Sequence, residues 1–248
     1  MPDDRQRFFF IHLQRTGGSS MRACLQHHFG EAAVYPADSD TDDPAAAVLG
    51  IEYLQRRFNA RRDEIRVITG HFPFCAAEIL GGGFTTLTLV REPVERTLSY
   101  LSHHRHWAPE DADKSLEEIY ADPLRFHGLA HNHMVKMFSL TPEEMTASAL
   151  TPVEFTPDRL ERAKQAIASV DALGLVERFD EFCEQLERRF GWDLGPRRRI
   201  NESRRFEVSD GFHDQIAEDN AMDAELYDFA RRLYEDRRAE SEPARSRS

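Results

Sequence analysis

Residues Phe8–Ser20, FFFIHLQRTGGSS, constrain the fold of this chain more than any other stretch. The apolar, aromatic and β-branched half reads as a buried strand. A loop with one cation, two glycines and three hydroxyls follows, and a helix is predicted from about Ser19. A strand that opens through a Gly-rich loop into a helix holds anions well. The glycines let the backbone approach closely, and the loop amides and helix N-terminus point their N–H groups at the ligand. The stretch therefore predicts a phosphate or sulfate-ester site built from Gln14, Arg15, Thr16, Gly17, Gly18, Ser19 and Ser20.

Composition narrows the classes. At 248 residues the chain reads as one large α/β domain, over residues 1–237. It is 40% hydrophobic and 31% charged, as globular proteins are. A net charge of −12 argues against non-specific nucleic-acid binding and, more weakly, against a polyanionic partner. Three scattered cysteines, Cys24, Cys75 and Cys183, suggest buried thiols rather than a disulfide framework or metal cluster. No apolar run approaches the ~20 residues of a membrane span, and the N-terminus lacks the pattern of a secretory leader, so the expected location is cytoplasmic.

The remaining chain alternates strand and helix patterns. Arg7–Leu13 is the first strand, and Met21, Cys24, Leu25 and Phe29 mark a helix that Gly30 ends. Ala37–Ala47, rich in aspartate, reads as a solvated loop or lid. Ile51–Phe58 reads as a helix, Ile65–Thr69 as a second strand, Gly81–Gly83 as a turn and Thr85–Val90 as a third strand. Pro93 opens a helix with Val94, Leu98 and Leu101 on one face. Residues 107–150 are polar and His-rich, with short helices around Leu116–Tyr120 and His133–Phe138. A helix marked by Leu160, Ala163, Ile167 and Val170 precedes a fourth strand, Ala172–Val176. Helices bearing Phe179–Phe190 and Met222–Leu233 close the domain around a basic loop, Pro196–Asp210. Residues 238–248 read as a disordered tail. The alternation predicts a parallel sheet flanked by helices, with ligands outside the strands' carboxyl ends. Gln14–Ser20, His71 and Arg91 all fall there.

The first loop is not the G-x-x-x-x-G-K-[ST] loop of nucleoside-triphosphate enzymes. A second motif follows the third strand: Arg91-Glu92-Pro93-Val94-Glu95-Arg96, then Ser99. An Arg fork and a hydroxyl two helical turns on suit a second phosphate.

Together the two motifs resemble the sulfotransferases that use 3′-phosphoadenosine 5′-phosphosulfate (PAPS). FFFIHLQRTGGSS is similar to their 5′-phosphosulfate loop, and TLVREPVERTLSY to their 3′-phosphate motif. The nearest likeness is to the heparan-sulfate 6-O-sulfotransferase branch and its bacterial relatives. Gly70-His71-Phe72-Pro73, Asn132 in AHNHMVKM, GLVERFDEF, Asn201-Glu202-Ser203-Arg204 and MDAELYDFARRLY extend it over most of residues 7–236. The resemblance implies a P-loop-like three-layer fold with a central parallel sheet flanked by helices. It implies PAPS as co-substrate and 3′,5′-ADP as product. By position, Gln14–Ser20 would cradle the 5′-phosphosulfate with Arg15 nearest the transferred group. Arg91 and Ser99 would bind the 3′-phosphate, Arg204 would contact the nucleotide from a covering loop, and His71 would be the catalytic base.

The family usually carries lysine where this chain has Arg15. Arginine keeps the charge and a bidentate grip but is a very poor acid, with a pKa above ~12. Arg15 is therefore expected to act by electrostatic stabilisation alone. No metal is expected. His12 reads as a core residue within the strand, His103 and His104 as possible acceptor-side groups, and His106, His127, His131 and His133 as a weak metal-site alternative. The expected activity is sulfuryl transfer to a hydroxyl of a carbohydrate or glycosylated small molecule. The rivals are a P-loop-like kinase and a non-catalytic nucleotide- or glycan-binding relative.

Overall fold

A computed structural model describes residues 6–145, 149–150, 152–197 and 208–241. In chain order the elements are β1 (Arg7–Ile11), α1 (Gly18–Phe29), β2 (Val34–Tyr35), α2 (Pro44–Leu49), α3 (Ile51–Ala60), β3 (Val67–Ile68), α4 (Ala76–Ile79), β4 (Phe84–Val90) and α5 (Pro93–Trp107). They continue as α6 (Leu116–Tyr120), α7 (Pro123–Arg125), a π-helical turn at Phe126–Ala130, α8 (His133–Ser139), α9 (Pro142–Met145), α10 (Pro157–Ser169), β5 (Ala172–Leu175), α11 (Phe179–Phe190), α12 (Asp210–Asp219) and α13 (Ala221–Ser241).

The strands form one sheet in the order β2-β3-β1-β4-β5, and every pairing is parallel. Strand β1 is central because it can be buried on both faces. Phe9, Phe10 and Ile11 have no exposed surface, and each such side chain contributes about 1.5–3 kcal/mol. The pleat sorts them. Phe9, Ile11 and Leu13 face one core, with Leu54 and Phe58 of α3 and residues of α8, α10 and α13. Phe8 and Phe10 face the other, with Met21, Cys24 and Leu25 of α1 and Phe179, Phe182, Cys183 and Leu186 of α11. The result is the expected α/β arrangement of three layers, a parallel sheet between helices. All three cysteines are buried and free. None of the described helices is long and apolar enough to cross a membrane.

The chain leaves β1, reaches the far edge at β2, returns through β3, and then steps over β1 to β4. This reversal opens a crevice at the carboxyl ends of β1 and its neighbours. Helix α5 starts at that end. Pro93 takes its first position, and the Glu92 carboxylate accepts from the backbone N–H of Val94 at 3.1 Å and of Glu95 at 2.7 Å.

Three expectations need correction. The edge strand β2 had no sequence counterpart. Ala37–Ala47 is not a plain solvated loop: Asp38–Asp40 forms a 3₁₀ turn, and the wholly buried Asp40 pairs with Arg61 at 2.5 Å and accepts from the Ala37 N–H at 2.9 Å. At the other end, α13 continues to Ser241, so the helix extends into the expected tail; residues 242–248 lie outside the described residues.

Asn132 and Asp223 join α8 to α13. Asn132, in a left-handed conformation at φ 44°, takes the Asp223 N–H on its side-chain oxygen at 3.0 Å. The Asp223 carboxylate caps α8 by accepting from Met134 N at 3.0 Å and Val135 N at 2.7 Å. Asp223→Ala strands two buried donors, and we expect it to cost roughly 3 kcal/mol and lower the melting temperature by roughly 6–12 °C. Thermal melts of the two proteins check this, and an unchanged midpoint would contradict the role of the cap.

Candidate functional site

Past the ends of β1, β3 and β4 lies a cavity of about 740 Å³, a size that suits a nucleotide-scale ligand. Its floor is the loop between β1 and α1. Gln14, Arg15, Gly17, Gly18, Ser19 and Ser20 line it, and His71 and Arg91 stand beside them. Sequence stretches far apart in the chain therefore meet where the topology predicts a ligand.

The loop is held in an unusual backbone shape. Arg15 has φ 66° and Gly17 has φ 76°, both left-handed. For arginine this conformation costs roughly 1–2 kcal/mol, so something must hold it. Two hydrogen bonds do. The Thr16 hydroxyl donates to the Leu13 carbonyl at 2.9 Å, and Arg91 Nη1 donates to the Arg15 carbonyl at 3.3 Å. The turn aims Arg15 towards α5, where its Nε–H donates to Ser99 Oγ at 3.0 Å. Among the described residues no protein acceptor takes the two terminal nitrogens of Arg15. Burial and the neighbouring Arg91 charge both lower its pKa from the ordinary arginine value, yet arginine stays charged. Arg91 also pairs with Glu95 at 3.3 Å. Two cations thus stand side by side, and Glu95 and Glu177 line the same cavity.

His71 follows β3. Its Nδ1 lies 3.0 Å from the His12 carbonyl, an oxygen that can only accept, so Nδ1 carries the proton. Nε2 is then the unprotonated nitrogen. Burial holds the His71 pKa below its ordinary 6.5; the bond to the His12 carbonyl opposes this, and the Arg15 charge adds to it. His71 is thus a neutral imidazole with a free lone pair, in a cavity lined by Arg15 and Arg91 as well as Glu95 and Glu177.

The structure separates the sequence-predicted residues into three groups. Gln14, Arg15, Gly17, Gly18, Ser19, Ser20, His71 and Arg91 line the cavity. Thr16 and Ser99 are buried behind it; Thr16 ties the loop, and Ser99 holds Arg15. Arg204, with the rest of residues 198–207, lies outside the described residues. His103 and His104 also line the cavity, with Tyr100, Trp107, Leu129 and Phe179. Burial, then the charge of Arg15, pushes the His103 pKa down to about 4. The histidines weighed as a metal site do not gather. Among the described residues the grouping with ligand-like spacing is His104, Glu110 and Asp111. Asp111 there is already balanced by Arg125 at 2.6 Å and Lys114 at 2.7 Å.

His12 is the residue that the sequence reading misplaced. It lines the cavity rather than filling the core, and its ring centroid is 4.4 Å from that of His71. The signal was the pleat: Phe8 and Phe10 face α1, and position 12 continues that face past the strand end.

Compared with known proteins, the chain matches no family model and no curated protein.

Buried neutral imidazoles make stability depend on pH. His12, His71, His103 and His133 all have folded-state pKa values below 6.5 because burial disfavours their charged forms. Below pH 6.5 the unfolded chain binds more protons at these groups, so stability is full above that value and falls on acidification. Asp223, pushed up to about 6 by burial, works in the opposite sense and offsets part of the loss. We expect a lower melting temperature at pH 5.5 than at pH 7.5; an equal or higher one would contradict the imidazole account.

Proposed function

We propose that the chain is a sulfotransferase that moves a sulfuryl group from PAPS to an acceptor hydroxyl, on a P-loop-like fold. The observation that carries this reading is the pairing of two cations, Arg15 and Arg91, with a neutral imidazole whose free nitrogen belongs to the same cavity. A donor phosphorylated at both ends of its ribose needs two anion grips. A transfer to a hydroxyl needs a base beside one of them.

In this reading the loop amides and Arg15 hold the 5′-phosphosulfate, and Arg91 holds the 3′-phosphate. His71 Nε2 takes the acceptor proton as the acceptor oxygen attacks sulfur. The bond from sulfur to the bridging phosphate oxygen breaks, and its electron pair leaves with 3′,5′-ADP. Arg15 and the loop N–H groups meet the charge that develops on that oxygen. The terminal nitrogens of Arg15 suit this, since its Nε is already engaged by Ser99. Arginine gives up no proton here, so the leaving phosphate departs unprotonated. Ser99 thus serves the site by aiming Arg15. The acceptor is a hydroxyl compound, a carbohydrate or glycosylated small molecule, that enters beside His71, His103 and Trp107.

The test is acceptor-dependent release of 3′,5′-ADP from PAPS. His71→Ala should lower kcat by about 10²–10⁴-fold while 3′,5′-ADP affinity stays within about twofold, because the base acts on the acceptor and not on the donor's phosphates. Undiminished turnover would remove His71 as the base. No turnover of PAPS by the wild-type protein with any hydroxyl acceptor would remove the activity.

A further inference from the structure

The His12 side chain has a place in the cavity that nothing so far explains. Its ring stacks on Phe10, with centroids 5.5 Å apart and planes 21° apart. The Nε2 edge lies where a side chain at residue 18 would begin: a Cβ on Gly18 would sit 1.6 Å from His12 Nε2. The ring is thereby wedged between β1 and the first turn of α1, and it faces both His71 and the cavity. The main-chain carbonyl of His12 orients His71, but the ring does not take part in that bond. Among the described residues no protein group hydrogen-bonds either ring nitrogen of His12.

A neutral imidazole always carries one N–H. The ring is neutral here: burial holds its pKa well below 6.5, and the approach of His71, Arg22 and Arg15 reinforces this. A half-buried N–H without a protein acceptor, beside an anion-binding loop, is a donor waiting for a ligand oxygen. It is also a donor without charge, so it can grip an anion and leave the neighbouring base unprotonated.

We propose that His12 is a binding residue for the transferred group itself, its ring N–H donating to a non-bridging oxygen of the sulfuryl group. This assignment rests on the sulfotransferase reading of the cavity. It divides the anion grip by function. Arg15 and the loop amides hold a phosphosulfate or a phosphate alike, whereas His12 meets only a donor that still carries its sulfuryl group. The protein should then prefer charged donor over spent nucleotide, which favours exchange after transfer.

The experiment compares binding of 3′,5′-ADP and of PAPS, without acceptor, to the wild-type protein, His12→Phe and His12→Gln. Phenylalanine keeps a ring to stack on Phe10 and has no N–H, though it is bulkier against Gly18; glutamine restores a donor. We expect His12→Phe to weaken PAPS binding by about tenfold and to leave 3′,5′-ADP binding within about twofold. His12→Gln should recover much of the PAPS affinity. Equal loss of both ligands in His12→Phe would show that the ring only shapes the loop, and unchanged PAPS affinity would show that it makes no contact; either result overturns the proposal. His12→Leu serves the same comparison if the phenylalanine variant does not fold. A wild-type protein that binds neither ligand would overturn the donor reading itself, an outcome distinct from both.

Discussion

The approach of the His12 ring to Gly18 is the contact on which the site depends. It brings the end of the central strand against the first turn of α1, with no room for a side chain between them. Only glycine satisfies this. Three features of the site adjoin this contact: the first turn of α1, the His12 carbonyl that accepts from His71, and the tight turn between Leu13 and Gly18 with left-handed residues at 15 and 17.

The electrostatics follow from that turn. Arg15 is carried over to Ser99 and alongside Arg91, so two cations share one cavity with Glu95 and Glu177 as counterweights. An arrangement of like charges is costly in the empty protein and becomes favourable when an anion arrives. The cavity's histidines complement it. His12, His71 and His103 are all kept neutral by burial, so they add lone pairs and N–H donors without adding repulsion. Arginine at position 15 makes structural sense as well. Its Nε–H holds Ser99 while the far nitrogens remain for a ligand, a division of labour that a single ammonium cannot make in the same way.

Much of this was legible in the sequence. The strand–loop–helix pattern at Phe8–Ser20, the strand ends before His71 and Arg91, and the Pro93 helix start all rest on local chemistry, and the structure places them as read. What escaped depends on contacts between distant residues. Strand β2 is two residues long and is followed at once by Pro36, too short to show a period. Asp40 sits in a run of aspartates that looks solvated, and its burial rests on Arg61, just past the end of α3, with Arg57 and the Ala37 N–H beside it. The spacing of Ser99 to Arg91 predicts a phosphate ligand, but the bond its hydroxyl takes from Arg15 depends on the left-handed turn at residue 15, which no spacing shows. His12 looks like core because its strand is buried, although the pleat carries it out past the strand end and into the cavity.

The central claim is that the cavity binds a nucleotide phosphorylated at both the 3′ and 5′ positions. Thermal shift with 3′,5′-ADP, adenosine 5′-phosphate and ATP with Mg²⁺ tests it most directly. At about 100 times its dissociation constant, 3′,5′-ADP should raise the melting temperature by roughly 5–10 °C, with a smaller shift for adenosine 5′-phosphate at the same concentration. Stabilisation by ATP with Mg²⁺ and none by 3′,5′-ADP would contradict the account.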